Sequence, residues 1–221
     1  MKIKTFVFNH FGENTYVVSD ESTKKCAIID PGCFFDQEKQ ELKNFILSEN
    51  LQVECILFTH CHLDHAFGAR FATQEFPQAE ICAHKNEQIF IDDALNQGLR
   101  YGINMEQPPH ITRYINEDDV IRIGEIELQV IFVPGHSPGG LCFYSAKEDI
   151  LFSGDVLFQN SVGRSDLIGG NHDLLIEGIV QHLLCLPNET VVYCGHGHTT
   201  TIKNERETNN FLRRYNSFWH T

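Results

Sequence analysis

The chain has 221 residues, with 17 Lys and Arg against 30 Asp and Glu, which gives a formal net charge of −13 at pH 7. This length predicts one domain, spanning 1–221, that can bury a substantial core without disulfide bonds or metals to staple it. The excess of acid argues against nucleic acid and against an anionic membrane surface as partners, because both are bound through clustered Lys and Arg.

The first part of the chain predicts strands interleaved with helices. Alternating or wholly apolar runs predict strands at 3–8, 14–20, 26–30, 54–58 and 81–84. Apolar residues at helical spacing predict a helix over 37–49, and the segment AFGARFATQEF, which Pro77 ends, predicts a second helix.

Residues 85–118 break this rhythm and are interpreted as an irregular insert. Its first part, 85–105, has a helical pattern, whereas the following QPPHITRYINEDD has the loop chemistry of Pro108 and Pro109. Two interpretations stay open for this segment. It is either a surface excursion that simply packs on the domain, or a lid whose apolar lining includes Tyr101 and Met105.

Strands resume after the insert. The segment DVIRIGEIELQVIFV predicts a hairpin that turns at Gly124 and Glu125. Further strands are predicted at 140–146, 149–153 and 190–194, and helices at 173–186 and 205–219. Strands and helices in this order, with antiparallel strands first, predict an α/β fold with sheet at its centre.

Four of the predicted strands end at a potential metal ligand. ECILFT leads to His60, LQVIFVPG to His136, DILFSG to Asp155 and TVVYCG to His196. Glycine comes directly before the last three ligands, and glycine allows the backbone to turn sharply out of a sheet. Because ligands of open α/β sheets gather at the carboxyl ends of strands, we expect the four ends to converge.

The segment THCHLDH crowds four metal-ligating side chains into one turn. His60 and His62 are two residues apart on an extended segment and can reach one ion, while Asp64 and His65 lie past the bend, placed for a second. Seven donors in all exceed the three protein ligands of one catalytic zinc and suit two ions that share a carboxylate. Imidazole and carboxylate without thiolate favour Zn²⁺, with Fe or Mn as substitutes. A structural zinc clip is the main alternative, although such sites mostly recruit Cys.

The eight cysteines are scattered and form no CxxC pair, which predicts free thiols in a reducing compartment. The first residues lack the apolar core of a secretory signal, and no apolar run approaches the length of a bilayer span. We therefore expect a cytoplasmic protein. Among the remaining polar residues, Cys61 is expected to pack beneath the THCHLDH segment, which we call the metal loop, and Arg164 and Asp166 are expected to pair. His172 and His198 are candidates for supporting the ligands.

The motifs THCHLDH, PGHSPGG, SGDVLF with GRSD, and CGHGHTTTIKNE, in this order, resemble the metallo-β-lactamase superfamily and, more closely, its small glyoxalase II-like hydrolases. The resemblance implies a four-layer αββα sandwich. It also implies two metal ions with a shared carboxylate. The implied ligands are His60, His62 and His136 for the first ion, Asp64, His65 and His196 for the second, and Asp155 between them.

We expect hydrolysis of a small acyl substrate, with a thioester favoured. Two bound metals would activate a water molecule and polarise the carbonyl that it attacks, while Asp64 and Asp155 would position the ions and accept a proton. Alternatives are a lactone or β-lactam hydrolase of the same superfamily, and a persulfide dioxygenase with one iron on His60, His136 and Asp155. The dioxygenase branch has a GHDY-like motif where this chain reads GHGHTTT. A nuclease is disfavoured by the acidic charge, and a non-catalytic metal module by the complete donor set.

Overall fold

A computed structural model describes residues 1–213. The described chain divides into two compact units. The first comprises Met1–Ile115 and Ile121–Glu127, and the second comprises Asn116–Val120 and the residues from Leu128 onward. Within 1–213, no helix combines the length and the hydropathy needed to cross a membrane. The single domain expected from chain length stays a prediction.

The first sheet has six strands in the order β1-β2-β3-β4-β5-β6. These strands are β1 Lys2–Phe8, β2 Glu13–Ser19, β3 Lys25–Ile29, β4 Gln52–Leu57, β5 Glu80–Ala83 and β6 Arg113–Tyr114. The pairs from β1 to β3 are antiparallel and those from β3 to β6 are parallel. Because Ile29 pairs with Leu57 in the parallel register, β3 and β4 end side by side at one edge of the sheet.

Five α-helices belong to the first unit. They are α1 Asp36–Ser48, α2 Leu63–Ala66, α3 Ala69–Glu75, α4 Gln88–Asp92 and α5 Ala94–Arg100. Helix α1 buries Leu42 and Ile46 in the core beneath the sheet, as its spacing predicts.

The helix predicted over 66–76 is confirmed over Ala69–Glu75 but begins later than predicted, because Gly68 separates α3 from α2. Gly68 donates its backbone N–H to the carbonyl of Pro31 at 2.7 Å. A Cβ atom at this position would collide with the Cys33 thiol and with the same carbonyl, so the close approach requires glycine.

The second half of the chain supplies the remaining strands. They are β7 Val120–Ile123, β8 Ile126–Phe132, β9 Leu141–Ser145, β10 Ile150–Gly154, β11 Leu157–Phe158, β12 Ser161–Val162, β13 Val191–Cys194 and β14 Thr200–Thr201. Six of them form a sheet in the order β14-β13-β10-β9-β8-β7, while β11 and β12 pair separately. Strands β10 and β13 run parallel, and Gly154 pairs with Cys194. The residues that follow both strands therefore leave the sheet at the same edge.

The turns and helices observed in this half agree in part with those predicted from the sequence. The predicted hairpin turn is confirmed, with Gly124 at a φ of 58°. Helix α6, His172–Gly178, continues as a π-helical turn over Ile179–Leu183. The last described helix, α7, spans Ile202–Thr208.

The C-terminal helix predicted over 205–219 is too long and begins too late. The Thr201 hydroxyl accepts the Asn204 N–H and caps the start of α7 at 3.1 Å. The buried Asn209 ends the helix, because its side-chain amide donates to Glu205 Oε2 at 2.7 Å and to the Ser161 carbonyl at 3.0 Å. Residues 214–219 of that prediction lie outside the described part of the chain.

All eight cysteines are free, and all but Cys185 are buried. Burial raises the pKa of Cys142 and of Cys61 well above the usual value of a thiol. The predicted free thiols are therefore confirmed, and the buried ones act as small apolar side chains.

Leu42→Ala is expected to lower the free energy of unfolding by about 2–5 kcal/mol, because it leaves a cavity in the core beneath α1. Leu42 is fully buried in α1, whereas Leu47 of the same helix is 58% exposed. The matched control Leu47→Ala is expected to change stability by about 0.5 kcal/mol or less. Urea denaturation followed by circular dichroism measures both, and equal losses would contradict the assignment of the core face.

Candidate metal centre

Four predicted ligands lie together at the carboxyl edge of the first sheet. His60, His62 and His65 are buried, and Asp64 is half-buried. The imidazole ring centroid of His60 is 4.7 Å from that of His62 and 4.1 Å from that of His65. Asp64 Oδ2 lies 3.9 Å from His65 Nε2. The THCHLDH segment thus forms a cluster of donors within the first unit.

Asp30, which sequence reasoning missed, organises this cluster. It follows β3 at a φ of 50° and is 1% exposed. Its Oδ1 accepts the Thr59 N–H at 2.8 Å, and its Oδ2 accepts the Thr59 hydroxyl at 2.6 Å. His65 Nδ1 donates to the same Oδ2 at 3.0 Å. A signal for Asp30 was present in CAIIDPG, a fifth strand that ends in a metal-ligating residue.

These hydrogen bonds select the tautomers of two histidines. His65 must carry its proton on Nδ1 to donate to the Asp30 carboxylate. The Thr59 hydroxyl gives its only proton to Asp30, so at 3.1 Å it can only accept from His60 Nδ1. In both rings Nε2 is consequently unprotonated and its lone pair is available, which is the form in which imidazole binds a metal. Ligand atoms of Asp30, His60 and His65 all lie within 4.8 Å of one another.

The insert contributes a second buried carboxylate to the metal loop. Glu87 is fully buried and accepts the backbone N–H of Cys61 at 2.7 Å. Cys61 is buried beneath the loop, as predicted, and burial, together with the nearby Glu87 and Asp30 charges, raises the pKa of its thiol. A thiol held in this form is a poor nucleophile, so Cys61 packs without reacting.

The second unit gathers its own three predicted ligands. His136 Nε2 and His196 Nε2 each lie 3.6 Å from Asp155 Oδ2. His136 Nδ1 donates to the Arg164 carbonyl at 2.8 Å, which leaves Nε2 as the lone pair that faces the carboxylate. Gly163 allows this approach, because a Cβ atom there would collide with the Asp155 carbonyl.

Donor spacing and donor chemistry in each unit fit a divalent metal. The separations of 3.6 Å at Asp155 and 3.9 Å between Asp64 and His65 are too long for hydrogen bonds. Tetrahedral ligation with bonds of about 2.0–2.1 Å separates two ligand atoms by about 3.4 Å. Imidazole and carboxylate donors at this spacing, with fixed tautomers, can hold Zn²⁺, Fe or Mn.

Other predicted residues fall around these clusters. Arg164 and Asp166 form an exposed bidentate ion pair at 2.7 and 2.8 Å, and the guanidinium lowers the pKa of Asp166 to about 2. His172 and His198 are both exposed, and their support of the ligands stays a prediction. Met105 of the insert is buried, whereas Tyr101 is 54% exposed.

Comparisons with known proteins match this arrangement to one superfamily. The family model described as "Metallo-beta-lactamase superfamily" matches residues 9–196. The chain is 32% identical to the hydroxyacylglutathione hydrolase GloC of Haemophilus influenzae, over 96% of this chain and 98% of that protein.

Two solved structures are similar over nearly their whole length. The crystal structure of the BLEG-1 B3 metallo-β-lactamase matches with a TM-score of 0.87 and 36% identity, over 96% of this chain and 99% of that one. The di-iron-bound form of TTHA1623 matches with a TM-score of 0.84 and 32% identity, over 95% of this chain and all of that one. The fold class predicted from the sequence, of the metallo-β-lactamase type, is confirmed, and the chain is a hydrolase of the metallo-β-lactamase superfamily.

Proposed function

We propose that this chain is a binuclear metal-dependent hydrolase that cleaves the thioester, or a related acyl bond, of a small substrate. The observation that carries the proposal is the fixed Nε2 presentation of His60, His65 and His136, beside carboxylate oxygens spaced like metal ligands. Imidazoles locked in this form by Nδ1 hydrogen bonds are typical of working metal sites. The family match, which includes all seven donors, supports the same function.

Two divalent ions would be held by the seven proposed ligands, with Zn²⁺ favoured. We assign His60, His62 and His136 to one ion, Asp64, His65 and His196 to the other, and Asp155 to both. The similarity to a protein crystallised in a di-iron-bound form supports two ions and keeps Fe as an alternative metal. When bound, the ions would polarise the acyl carbonyl and lower the pKa of a water molecule to about 7.

Two aspartates, Asp155 and Asp64, would position these ions and accept one proton. Asp155 is half-buried and lies 3.6 Å from two imidazoles, so its carboxylate suits a shared ligand better than a surface charge. Asp64 is the other half-buried carboxylate among the proposed ligands. We assign to these two aspartates the proton that the attacking water loses. Cys61 takes no part, because its buried thiol has a raised pKa.

A thioester is the favoured substrate, and a β-lactam or lactone is the second candidate. The similarity to GloC, which is described as a hydroxyacylglutathione hydrolase, supports thioester cleavage. The similarity to BLEG-1, described as a B3 metallo-β-lactamase, supports the second candidate. The free thiols support a cytoplasmic location, and the charge of −13 supports a small molecule over nucleic acid or a membrane as the partner.

Metal analysis and a substrate panel test the proposal together. The purified protein, loaded with Zn²⁺ or Fe and freed of excess metal, is expected to hold two ions per chain and to hydrolyse thioesters faster than lactones or β-lactams. Elemental analysis counts the ions, and release of free thiol or acid measures each rate. One iron per chain with oxygen uptake would overturn hydrolysis in favour of a dioxygenase, and faster lactam cleavage would move the assignment to the second candidate.

Asp155→Asn is expected to reduce the metal content below two ions per chain and to lower kcat/KM by about 100-fold or more, because an amide is a weak ligand that cannot bridge two cations. Asp118→Asn is the matched control in the same unit. Asp118 is exposed and has a φ of 67°, which asparagine also tolerates. If both variants kept the metal and the activity, Asp155 would not be a shared ligand.

Asp30→Asn is expected to weaken the metal affinity of the protein by about 10–100-fold, since an amide cannot accept all three hydrogen bonds that fix His60 and His65. Competition with a chromophoric chelator measures the affinity. The control is Asp20→Asn, because Asp20 also accepts several hydrogen bonds, from Ser22, Thr23 and Glu125. An equal loss of metal affinity in both variants would mean that Asp30 acts only through general stability.

A further inference from the structure

Six aromatic rings follow one another across the first unit, and we call them the aromatic strip. Consecutive ring centroids are 4.8, 5.2, 4.8, 6.3 and 6.4 Å apart. In spatial order the rings belong to His10, Phe35, Phe34, Phe67, Phe11 and Tyr101. Three of the six are large exposed apolar side chains, namely Phe35 at 37%, Phe11 at 43% and Tyr101 at 54%. Exposed aromatic rings at the two ends of such a strip, joined by more buried rings between them, are typical of a binding surface.

The aromatic strip is continuous with the metal loop. Its inner rings, Phe34 and Phe67, pack in an apolar cluster with Leu63 and Met105. Leu63 stands between the proposed ligands His62 and Asp64 in the chain. Among the exposed rings, that of Phe11 lies 6.3 Å from the Phe67 ring, so a group that rests on Phe11 is close to the turn that carries the proposed ligands.

A side-chain amide fixes the position of Phe11 relative to that turn. Asn9 Nδ2 donates to the backbone carbonyl of Asp64 at 3.0 Å and to that of Gly32 at 2.9 Å. The Phe11 N–H in turn donates to Asn9 Oδ1 at 2.9 Å. The loop between β1 and β2 is thereby tied to the metal loop, which holds the Phe11 backbone beside the turn that carries Asp64.

One carboxylate joins the two loops that carry the exposed phenylalanines. Glu38 Oε1 accepts the Asn9 N–H at 2.7 Å, while Glu38 Oε2 accepts the N–H groups of Phe34 at 2.8 Å and Phe35 at 3.0 Å. Because these bonds order the backbones of both loops, those backbones lose little freedom when a ligand binds.

The charges around the strip favour a neutral ligand. Arg100, next to Tyr101, pairs with Asp93 at 3.0 Å. Lys39, one helical turn after Phe35, lies 3.9 Å from Glu106. Each of these two cations faces a carboxylate, so neither is an uncompensated charge beside the strip, and the rings themselves favour an apolar group.

We propose that the aromatic strip binds the acyl group of the substrate, and that this group is aromatic or a medium-length alkyl chain. The proposal rests on the hydrolase function proposed above and narrows it to thioesters of apolar carboxylic acids. The thiol half of the substrate contributes less to recognition. Discrimination among substrates then follows the size of the acyl group, since each added apolar carbon finds ring surface to cover.

Phe11→Ala, compared with Phe211→Ala, tests the strip. Phe211 is a matched control, because it is 47% exposed and donates its N–H to Asn209 Oδ1 as Phe11 does to Asn9. The substrates are the S-phenylacetyl and S-acetyl thioesters of N-acetylcysteamine, a small neutral thiol. Phe11→Ala is expected to raise KM for the phenylacetyl ester about 3- to 10-fold with little change in kcat, and to leave the acetyl ester unaffected. Phe211→Ala is expected to leave both unchanged.

A binding measurement separates this proposal from the proposed function. The probe is the uncleavable ketone in which a methylene replaces the sulfur of the phenylacetyl ester, titrated into the metal-loaded protein by calorimetry. Its affinity is expected to fall about 3- to 10-fold in Phe11→Ala and in Tyr101→Ala. If the wild type binds this ketone through the strip yet cleaves no thioester, binding of an acyl group by the strip is supported and the proposed thioester hydrolysis is wrong.

Two results would overturn the strip proposal. One is hydrolysis in which KM is independent of the acyl group and of Phe11. The other is a dimer, found by light scattering, that dissociates on Phe11→Ala, because a second copy of the chain would then cover the rings.

Discussion

The arrangement of donors in the first unit depends on one buried carboxylate. Asp30 has almost no exposure to solvent and accepts hydrogen bonds from the Thr59 N–H, the Thr59 hydroxyl and His65 Nδ1. A buried charge is tolerated only where such bonds replace water, so the carboxylate and its three donors require one another. Through Thr59 the same carboxylate also sets the proton of His60. One acidic group thereby makes two imidazoles ready to bind a cation, which lowers the cost of assembling the site when the metal arrives.

Local pattern was sufficient to predict most strands, because the period of an apolar run is a property of neighbouring residues. The hairpin at Gly124 and the strand that ends in Gly154 both follow from such runs. The predicted gathering of ligands also holds within each unit, since parallel strands such as β10 and β13 end at the same edge. Residues that follow apolar runs could therefore be chosen as candidate ligands without knowledge of the tertiary structure.

What the sequence could not provide depends on contacts between distant residues. Asp30 acts on Thr59 and His65 only because β3 pairs with β4 in one register, and nothing local to CAIIDPG specifies this pairing. The break at Gly68 depends in the same way on the approach of Pro31. Helix α7 stops at Asn209 because that side chain finds partners in Glu205 and in the distant Ser161. The helical sequence pattern continues past Asn209. Nothing in that local pattern indicates the tertiary hydrogen bond to Ser161 that helps to end the helix.

Helix α2 and the residue after it carry both proposed metal ligands and side chains of the apolar cluster beside the aromatic strip. Leu63 and Phe67, four residues apart, share one face of this turn and pack with Met105 of the insert. Asp64 and His65, between them, supply donors to the metal cluster. In the insert, Met105 packs behind this turn and the Tyr101 ring contacts the exposed Phe11 ring. A chain that changed this segment could alter the acyl group that it accepts while it kept its metal ligands, since the two functions use different faces of the same turn.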